Sequence, residues 1–113
     1  MASLSMTGTG NAWEIANILI AEVQNSAMSC QLVDRVSHNL GDITYDLLVF
    51  EKYYMRSSNR ASLSVCVIGR GADVIVDAVG AGGGQGVFFN FSWGAEEDFA
   101  NVVRQILAPR GFY

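Results

Sequence analysis

The sequence Ala61-Ser62-Leu63-Ser64-Val65-Cys66-Val67 places an aliphatic side chain at every second position. Successive side chains of a β-strand point to opposite faces of a sheet, so this alternation predicts a strand with one buried face. A strand that is buried on one face and solvated on the other is typical of antiparallel sheets, because parallel sheets are usually covered on both faces. The stretch therefore predicts an antiparallel sheet.

The segments on both sides of this stretch also favour β-strands, and short turn sequences separate them. Turns are expected at residues 39–42 and 69–71, and a polar hairpin end is expected at residues 55–59. Residues 2–8 alternate weakly and are expected to form a short edge strand at most. The remaining predicted strands cover residues 28–37, 43–54, 73–78 and 87–92.

Two helices are predicted, one near each end of this succession of strands. Asn11 is a good N-cap residue, and Glu14 stands three positions later in an arrangement like a capping box. Apolar residues at helical spacing extend this first helix to residue 24. The last helix opens with acidic residues at 96–98, which favour the positive end of the helix dipole, and it stops at Pro109. Its apolar stripe consists of Phe99, Val102, Val103, Ile106 and Leu107.

These elements give the order β-α-β-β-β-β-β-α, in which the first strand is the weakest prediction. We expect an α+β fold with a single domain over residues 1–113. It is a two-layer sandwich, in which an antiparallel sheet of four to six strands carries both helices on one face. The order is similar to TATA-binding-protein-like and helix-grip arrangements, a topological likeness that implies no function. The expected core residues include Leu63, Val65, Val67, Val102 and Ile106.

A glycine-rich segment, Gly80-Ala81-Gly82-Gly83-Gly84-Gln85-Gly86, precedes the last predicted strand. Glycine permits backbone conformations with φ > 0 and lets another group come close to the main chain. The segment is therefore either a sharp turn or a cradle for an anion. It matches neither the dinucleotide-binding motif nor the P-loop, because Gln85 or Val87 stands where a glycine is needed and no Lys follows Gly86. A nucleotide site is not expected.

The first function hypothesis is a non-enzymatic module that binds a small ligand or a lipid. A sheet that grips helices can leave an apolar cavity between the layers, expected here to be lined by Tyr45, Phe89 and Phe91. The expected partner is a small apolar or anionic ligand, and neither a metal nor another cofactor is expected. The residues expected to bind the ligand are Gly83, Gly84, Gln85, Arg60 and Glu51.

The composition supports a second hypothesis, a homo-oligomeric interaction domain without a ligand. Of the 113 residues, 50% are hydrophobic and 16% are charged, whereas ordinary domains have about 25% charged residues. The surplus apolar surface is expected to form a homodimer interface on a second apolar sheet face. The net charge of −4 disfavours nucleic acid and anionic membranes as partners. The residues assigned to the second face are Leu48, Phe50, Ile68, Ile75 and Phe88.

An enzyme is the least favoured class, and no catalytic residues are expected. Cys66 and the serines of its strand are possible nucleophiles, but His38 is the single histidine and has no evident partner among them. Asp46 and Glu51 could pair as carboxylates, although charged residues on strands usually face solvent. Cys30 and Cys66 are too few for a disulfide framework, and no secretory signal opens the sequence. A cytoplasmic location is therefore expected.

Several short motifs between residues 50 and 100 carry a resemblance to known proteins. They are Phe50-Glu51-Lys52-Tyr53, Asn59-Arg60-Ala61-Ser62-Leu63, Gly82-Gly83-Gly84-Gln85, Phe88-Phe89, and Glu96-Glu97 with Phe99. Together they resemble a family of small bacterial single-domain proteins that is known only as a domain of unknown function. The resemblance weakens across the first helix. It implies a bacterial cytoplasmic protein, and it brings no catalytic residues.

Overall fold

The computed structural model describes residues 2–54, 59–82 and 95–113 as five strands and two helices. The weakly predicted first strand is confirmed, and the predicted strand at 87–92 lies outside the described residues. The helices are α1 (Ala12–Asn25) and α2 (Ala95–Leu107), and a 3-10 turn (Ala108–Arg110) follows α2. The strands are β1 (Ala2–Thr9), β2 (Cys30–Leu40), β3 (Ile43–Tyr54), β4 (Asn59–Arg70) and β5 (Asp73–Gly82).

The described strands form one sheet in the order β1-β5-β4-β3-β2, and every neighbouring pair is antiparallel. Tight turns join β2 to β3 and β4 to β5. Gly41 (φ 63°) and Gly71 (φ 61°) stand in these turns in the left-handed region, which glycine reaches without a steric penalty. The antiparallel sheet is thus confirmed, with β4 as its central strand.

Both helices cover the same face of this sheet. α1 packs over β2, β3 and β4, and α2 packs over β1, β4 and β5. The alternation in β4 is confirmed, since Leu63, Val65 and Val67 are fully buried while the serines between them are partly exposed. The fold is therefore the predicted two-layer α+β sandwich. The sheet also contributes Leu4, Met6, Leu48, Phe50, Ala61, Val74, Val76 and Ala78 to the core.

Two expectations about the sheet faces are wrong. Leu48 and Phe50 are fully buried on the face that carries the helices, so they do not belong to the second apolar face. Tyr45 precedes Leu48 by three residues in β3 and therefore lies on the opposite face, where it cannot line a cavity between the layers. In α2, Ile106 belongs to the core as predicted, whereas Val102 is only partly buried and packs against it.

The first turn of α1 forms as predicted and brings the helix close to the sheet. Asn11 Oδ1 accepts a hydrogen bond of 3.0 Å from Glu14 N. Ala12 then lies against Gly69 of β4, where a Cβ atom would stand 2.4 Å from Ala12 Cβ and 3.0 Å from Thr44 Oγ1. Glycine at residue 69 is therefore what lets α1 approach the sheet this closely.

We expect Gly69→Ala to reduce the free energy of unfolding by about 1–3 kcal/mol, because the added methyl group overpacks the contact between α1 and β4. Urea unfolding measures this loss. The same substitution is also made in the Ala12→Gly variant as a control. Ala12→Gly itself lowers the free energy of unfolding by about 1 kcal/mol through helix propensity, but it removes the Cβ atom that the new methyl group would contact. Gly69→Ala should cost clearly less in that background. An equal cost in both backgrounds would contradict the close contact.

Candidate functional site

The structure brings together two of the five predicted ligand-binding residues. Arg60 and Glu51 lie on neighbouring strands on the sheet face away from the helices, and Arg60 Nη1 stands 3.4 Å from Glu51 Oε1. Gly83, Gly84 and Gln85 lie outside the described residues. Gly82 pairs with Ala61, so the chain enters that segment beside Arg60. A site at the glycine-rich segment stays a prediction, with Arg60 and Glu51 as its described neighbours.

The recess beside Arg60 and Glu51 is small. Its volume is about 100 Å³, and Gln31, Lys52 and Tyr53 are among the residues that line it. Ligand pockets are usually about 300–1,000 Å³. The Arg60 and Glu51 side chains are 68% and 40% exposed, and an exposed ion pair of this kind stabilises a protein little. Within the described residues, these two side chains form a surface ion pair rather than a pocket.

The sheet face away from the helices, here called the open face, carries both apolar and polar side chains. It carries the alternate side chains of each strand, and Ile75 and Val79 on it are 43% and 37% exposed. Both described helices pack on the other face. The open face therefore presents apolar surface that no described helix covers. Its larger apolar residues are Val36, Leu40, Ile43, Tyr45, Leu47, Val49, Tyr53, Ile68, Ile75 and Val79.

A row of polar groups crosses the centre of the open face around Cys66. Asp77 of β5 is directly opposite Cys66 and accepts a hydrogen bond from Ser5 Oγ of β1. The Tyr45 phenol is hydrogen-bonded to the Cys66 thiol, and the His38 ring centre lies 6.1 Å from that of Tyr45. Burial raises the pKa of the Cys66 thiol, and the nearby carboxylates raise it further, although the Tyr45 hydrogen bond lowers it. A thiol that is held protonated is a poor nucleophile.

We expect iodoacetamide to alkylate Cys66 at neutral pH more slowly in the folded protein than in urea, because burial raises the pKa of the thiol and less thiolate is present. Peptide mass spectrometry after timed quenching separates Cys66 from Cys30. Tyr45→Phe should slow the alkylation of Cys66 further, since it removes a hydrogen bond that favours the thiolate. Faster alkylation in the folded protein than in urea would show an activated thiol and would return Cys66 to the list of catalytic candidates.

A buried ion pair lies at the other side of the sheet, between β2, β3 and α1. Asp46 is 3% exposed and is the one buried charged side chain among the described residues. Arg35 Nε donates to Asp46 Oδ1 at 3.1 Å, and Ser37 Oγ donates to the same oxygen. Arg35 Nη1 donates to Asn17 Oδ1 at 3.0 Å, and the guanidinium carbon lies 4.0 Å from the centre of the Trp13 ring. Three side chains from two elements, α1 and β3, thus fix the geometry of Arg35.

A β-bulge in β2 explains why Arg35 and Ser37 reach Asp46. Leu32 pairs with Phe50, but Asp34 pairs with Val49, so Val33 is an extra residue in the ladder. An inserted residue reverses which face each later side chain occupies. Arg35 and Ser37 therefore lie on the helix side with Asp46, whereas an uninterrupted strand would have placed Asp34 there. The bulge therefore brings two polar side chains of the edge strand β2, Arg35 and Ser37, into the polar cluster around Asp46.

A cavity of about 300 Å³ opens beside this ion pair, and it is here called the Asp46 cavity. Its volume is at the lower end of the range that holds small molecules. Trp13, which is 54% exposed, forms its wall on the side of α1. Asp46 places a buried carboxylate in its lining. The other residues of the wall are Ser37, His38, Asn39, Thr44 and Tyr45 of the β2–β3 hairpin.

A larger groove of about 430 Å³ runs between the ends of α1 and α2, but it lacks a buried polar group. Its charged residues, Arg110 and Glu22, pair with each other at 2.7 Å, and their side chains are 42% and 44% exposed. An exposed pair of this kind is satisfied by solvent and by its partner. The smaller Asp46 cavity is therefore the better candidate site, because it combines burial, charge and aromatic surface.

Other kinds of site have little support in the part of the chain that the structure describes. Across residues 3–53, 60–82 and 99–113, whose side chains are described, no three His, Cys, Asp or Glu side chains form a group that could hold a metal ion. Neither described helix combines the length and apolar character that a membrane span needs.

The Asp46 cavity was not predicted from the sequence, although one signal for it exists. Asp46 shares a strand face with Leu48 and Phe50, and a carboxylate in line with large apolar residues indicates a buried acid. The interpretation of Asp46 as a solvent-facing charge is wrong, since it is 3% exposed. Its pairing with Glu51 is also excluded, because residues five apart on a strand point to opposite faces.

The chain also matches a family defined from other sequences. The family model described as "Family of unknown function (DUF6054)" matches residues 1–109. The match thus includes the first helix, across which the motif resemblance is weak, and extends far beyond residues 50–100. No curated protein matches the chain.

Proposed function

Since the chain belongs to this family of unknown function, we propose from its own geometry that it is a non-enzymatic module that binds a small ligand in the Asp46 cavity. One observation carries the proposal: the buried carboxylate of Asp46 lines a cavity of about 300 Å³ beside the half-exposed ring of Trp13. Burying a charge is costly unless the site uses it or pairs it well. Pockets that bind small molecules typically combine such a polar group with apolar walls.

The proposal concerns binding rather than catalysis because the candidate nucleophile and the candidate acid lie apart. Cys66 is on the open face, and Asp46 is on the helix face of the sheet. The Cys66 thiol has a raised pKa, which favours the unreactive form. The Asp46 carboxylate accepts hydrogen bonds from Arg35 and Ser37, an arrangement that holds it in place as an acceptor.

A thermal-shift screen of a small fragment collection tests this function. We expect at least one fragment to raise the Tm of the native protein increasingly with concentration, because a ligand that binds the folded state stabilises it. The shift should disappear in Trp13→Ala and persist in Tyr113→Ala, the matched loss of an exposed aromatic ring outside the cavity. A screen without hits, or hits that survive Trp13→Ala, would contradict binding in the Asp46 cavity.

A specific observation favours a second function, self-association through the open face. Five strands about 4.8 Å apart and about 33 Å long present a face of roughly 800 Å². A stable interface of standard size buries about 800 Å² of each partner. The apolar residues of the open face, among them Ile68, Ile75 and Val79, suit an isologous contact with a second copy. We propose a homodimer in which two open faces pack together.

We also propose that the protein works in the bacterial cytoplasm. The motif resemblance to small bacterial proteins supports the bacterial part of this proposal. Cys30 and Cys66 are both free thiols, which is the state that a reducing compartment maintains.

A further inference from the structure

We propose that the Asp46 cavity takes a neutral ring compound that carries hydrogen-bond donors and is about the size of a monosaccharide or a nucleobase. This inference rests on the proposed function, since it names the class of ligand for the same cavity. Two features of the cavity carry it: the balance of its charges and the chemistry of its walls.

The charges of the cavity favour an uncharged ligand. Arg35 Nε donates to the buried Asp46 carboxylate at 3.1 Å, so the pair carries no net charge. An anion or a cation would be attracted by one member of the pair and repelled by the other, so neither gains a net attraction that offsets its loss of hydration. The Arg35 guanidinium also lies 4.0 Å from the centre of the Trp13 ring, so this cation already uses the attraction of that ring.

The walls favour a flat molecule with polar edges. Trp13 remains 54% exposed and offers aromatic surface for a ring to pack against. Asp46 is an acceptor, and hydrogen bonds to an ionised acceptor are stronger than those between neutral groups, so donors on the ligand are favoured. A volume of about 300 Å³ suits one ring and its substituents. The polar walls are Ser37, Asn39 and Thr44, and the lining also includes His38 and Tyr45, which occupy strand positions of the open face.

Three ring compounds of almost equal shape test the charge of the ligand: benzamide, benzamidinium and benzoate. The Trp93→Phe variant leaves Trp13 as the remaining tryptophan, so its indole N–H signal in an NMR titration reports on the cavity. We expect benzamide to bind in the millimolar range that is usual for fragments and about tenfold more tightly than either charged analogue. D-glucose and adenine, titrated in the same way, distinguish a sugar-like from a nucleobase-like ligand.

The possible outcomes distinguish a failure of the proposed ligand class from a failure of the proposed function. Tighter binding of benzamidinium or benzoate than of benzamide would overturn the neutral class and leave a ligand-binding cavity. Trp13 signals that stay unchanged with all five probes up to about 10 mM would overturn the inference, while the fragment screen decides separately whether any ligand binds. Binding of benzamide without a response of the Trp13 signal would place its site elsewhere and would overturn the inference too.

Two variants test the role of the carboxylate. Asp46→Asn keeps the shape of the side chain, and we expect it to weaken benzamide binding about tenfold because a charged acceptor becomes neutral. Ser37→Ala leaves the carboxylate in place and serves as the second variant if Asp46→Asn fails to fold. It should change the affinity by a smaller factor. Unchanged affinity in a folded Asp46→Asn variant would show that the carboxylate does not contact the ligand.

Discussion

Replacement of Arg35 by methionine is expected to lower the free energy of unfolding by about 3 kcal/mol, because it leaves the Asp46 carboxylate buried without its partner. The Asp46 side chain is 5% exposed, so water cannot replace the guanidinium. A loss of this size lowers the Tm of a domain of about 100 residues by roughly 10–15 °C. Denaturant unfolding and calorimetry both measure it. Methionine retains most of the apolar stem of arginine, so the change reports mainly on the charge and its hydrogen bonds.

The chain contains a matched control for this variant, since Arg60 pairs with Glu51 on the same sheet. That pair is longer, at 3.4 Å, and both of its side chains are largely exposed. Arg60→Met should therefore change stability by at most about 0.5 kcal/mol. The double variant Arg35→Met with Asp46→Leu should recover most of the loss, because it removes the unpaired charge as well. A cost for Arg35→Met no larger than that for Arg60→Met would show that Asp46 is not effectively buried.

The Ile75→Glu variant is expected to convert the proposed homodimer into a monomer. Ile75 is 43% exposed on the open face, so a single subunit can accept the glutamate at little cost. In a two-fold interface each substitution occurs twice, and we expect the dimer dissociation constant to rise about 100-fold or more because a charge is buried in an apolar contact. Sedimentation equilibrium over a range of concentrations measures this change.

Met28→Glu is the control for this variant, since Met28 is fully exposed in the connection between α1 and β2. It adds the same charge away from the open face and should leave the dissociation constant unchanged. Phe88, which was also assigned to the second face, lies outside the described residues and is replaced in this test by Ile75. A native protein that sediments as a monomer at about 100 μM would exclude the homodimer as a functional species.

The antiparallel sheet and the covered face of β4 could be predicted because they follow from local alternation. The spacing of Leu63, Val65 and Val67 is by itself enough to predict a half-buried strand. The N-cap at Asn11 is equally local, since its hydrogen bond joins residues three apart. The antiparallel pairing of successive strands was predicted from their short connections, whereas the pairing of β1 with β5 was not predicted.

The candidate site could not be predicted because it depends on pairing between strands. The extra residue at Val33 changes the face of Arg35 and Ser37, and the extra residue becomes visible only when β2 is aligned with β3. The contact of Arg35 with Trp13 joins a strand to a helix 22 positions earlier in the sequence. The candidate residues Arg60 and Glu51 lie close together because both flank one hairpin. Their glycine partners lie outside the described residues.

The most direct test of the central claim, that the Asp46 cavity is the ligand site, is a ¹H–¹⁵N spectrum of the protein with the fragment that stabilises it most. The largest amide shifts should fall on residue 13 and residues 37–39 and 44–46, which line the cavity. The same titration on Trp13→Ala should leave those signals in place. Shifts concentrated instead on residues 51–53 and 60–62, beside Arg60, or spread over the open face would contradict the claim.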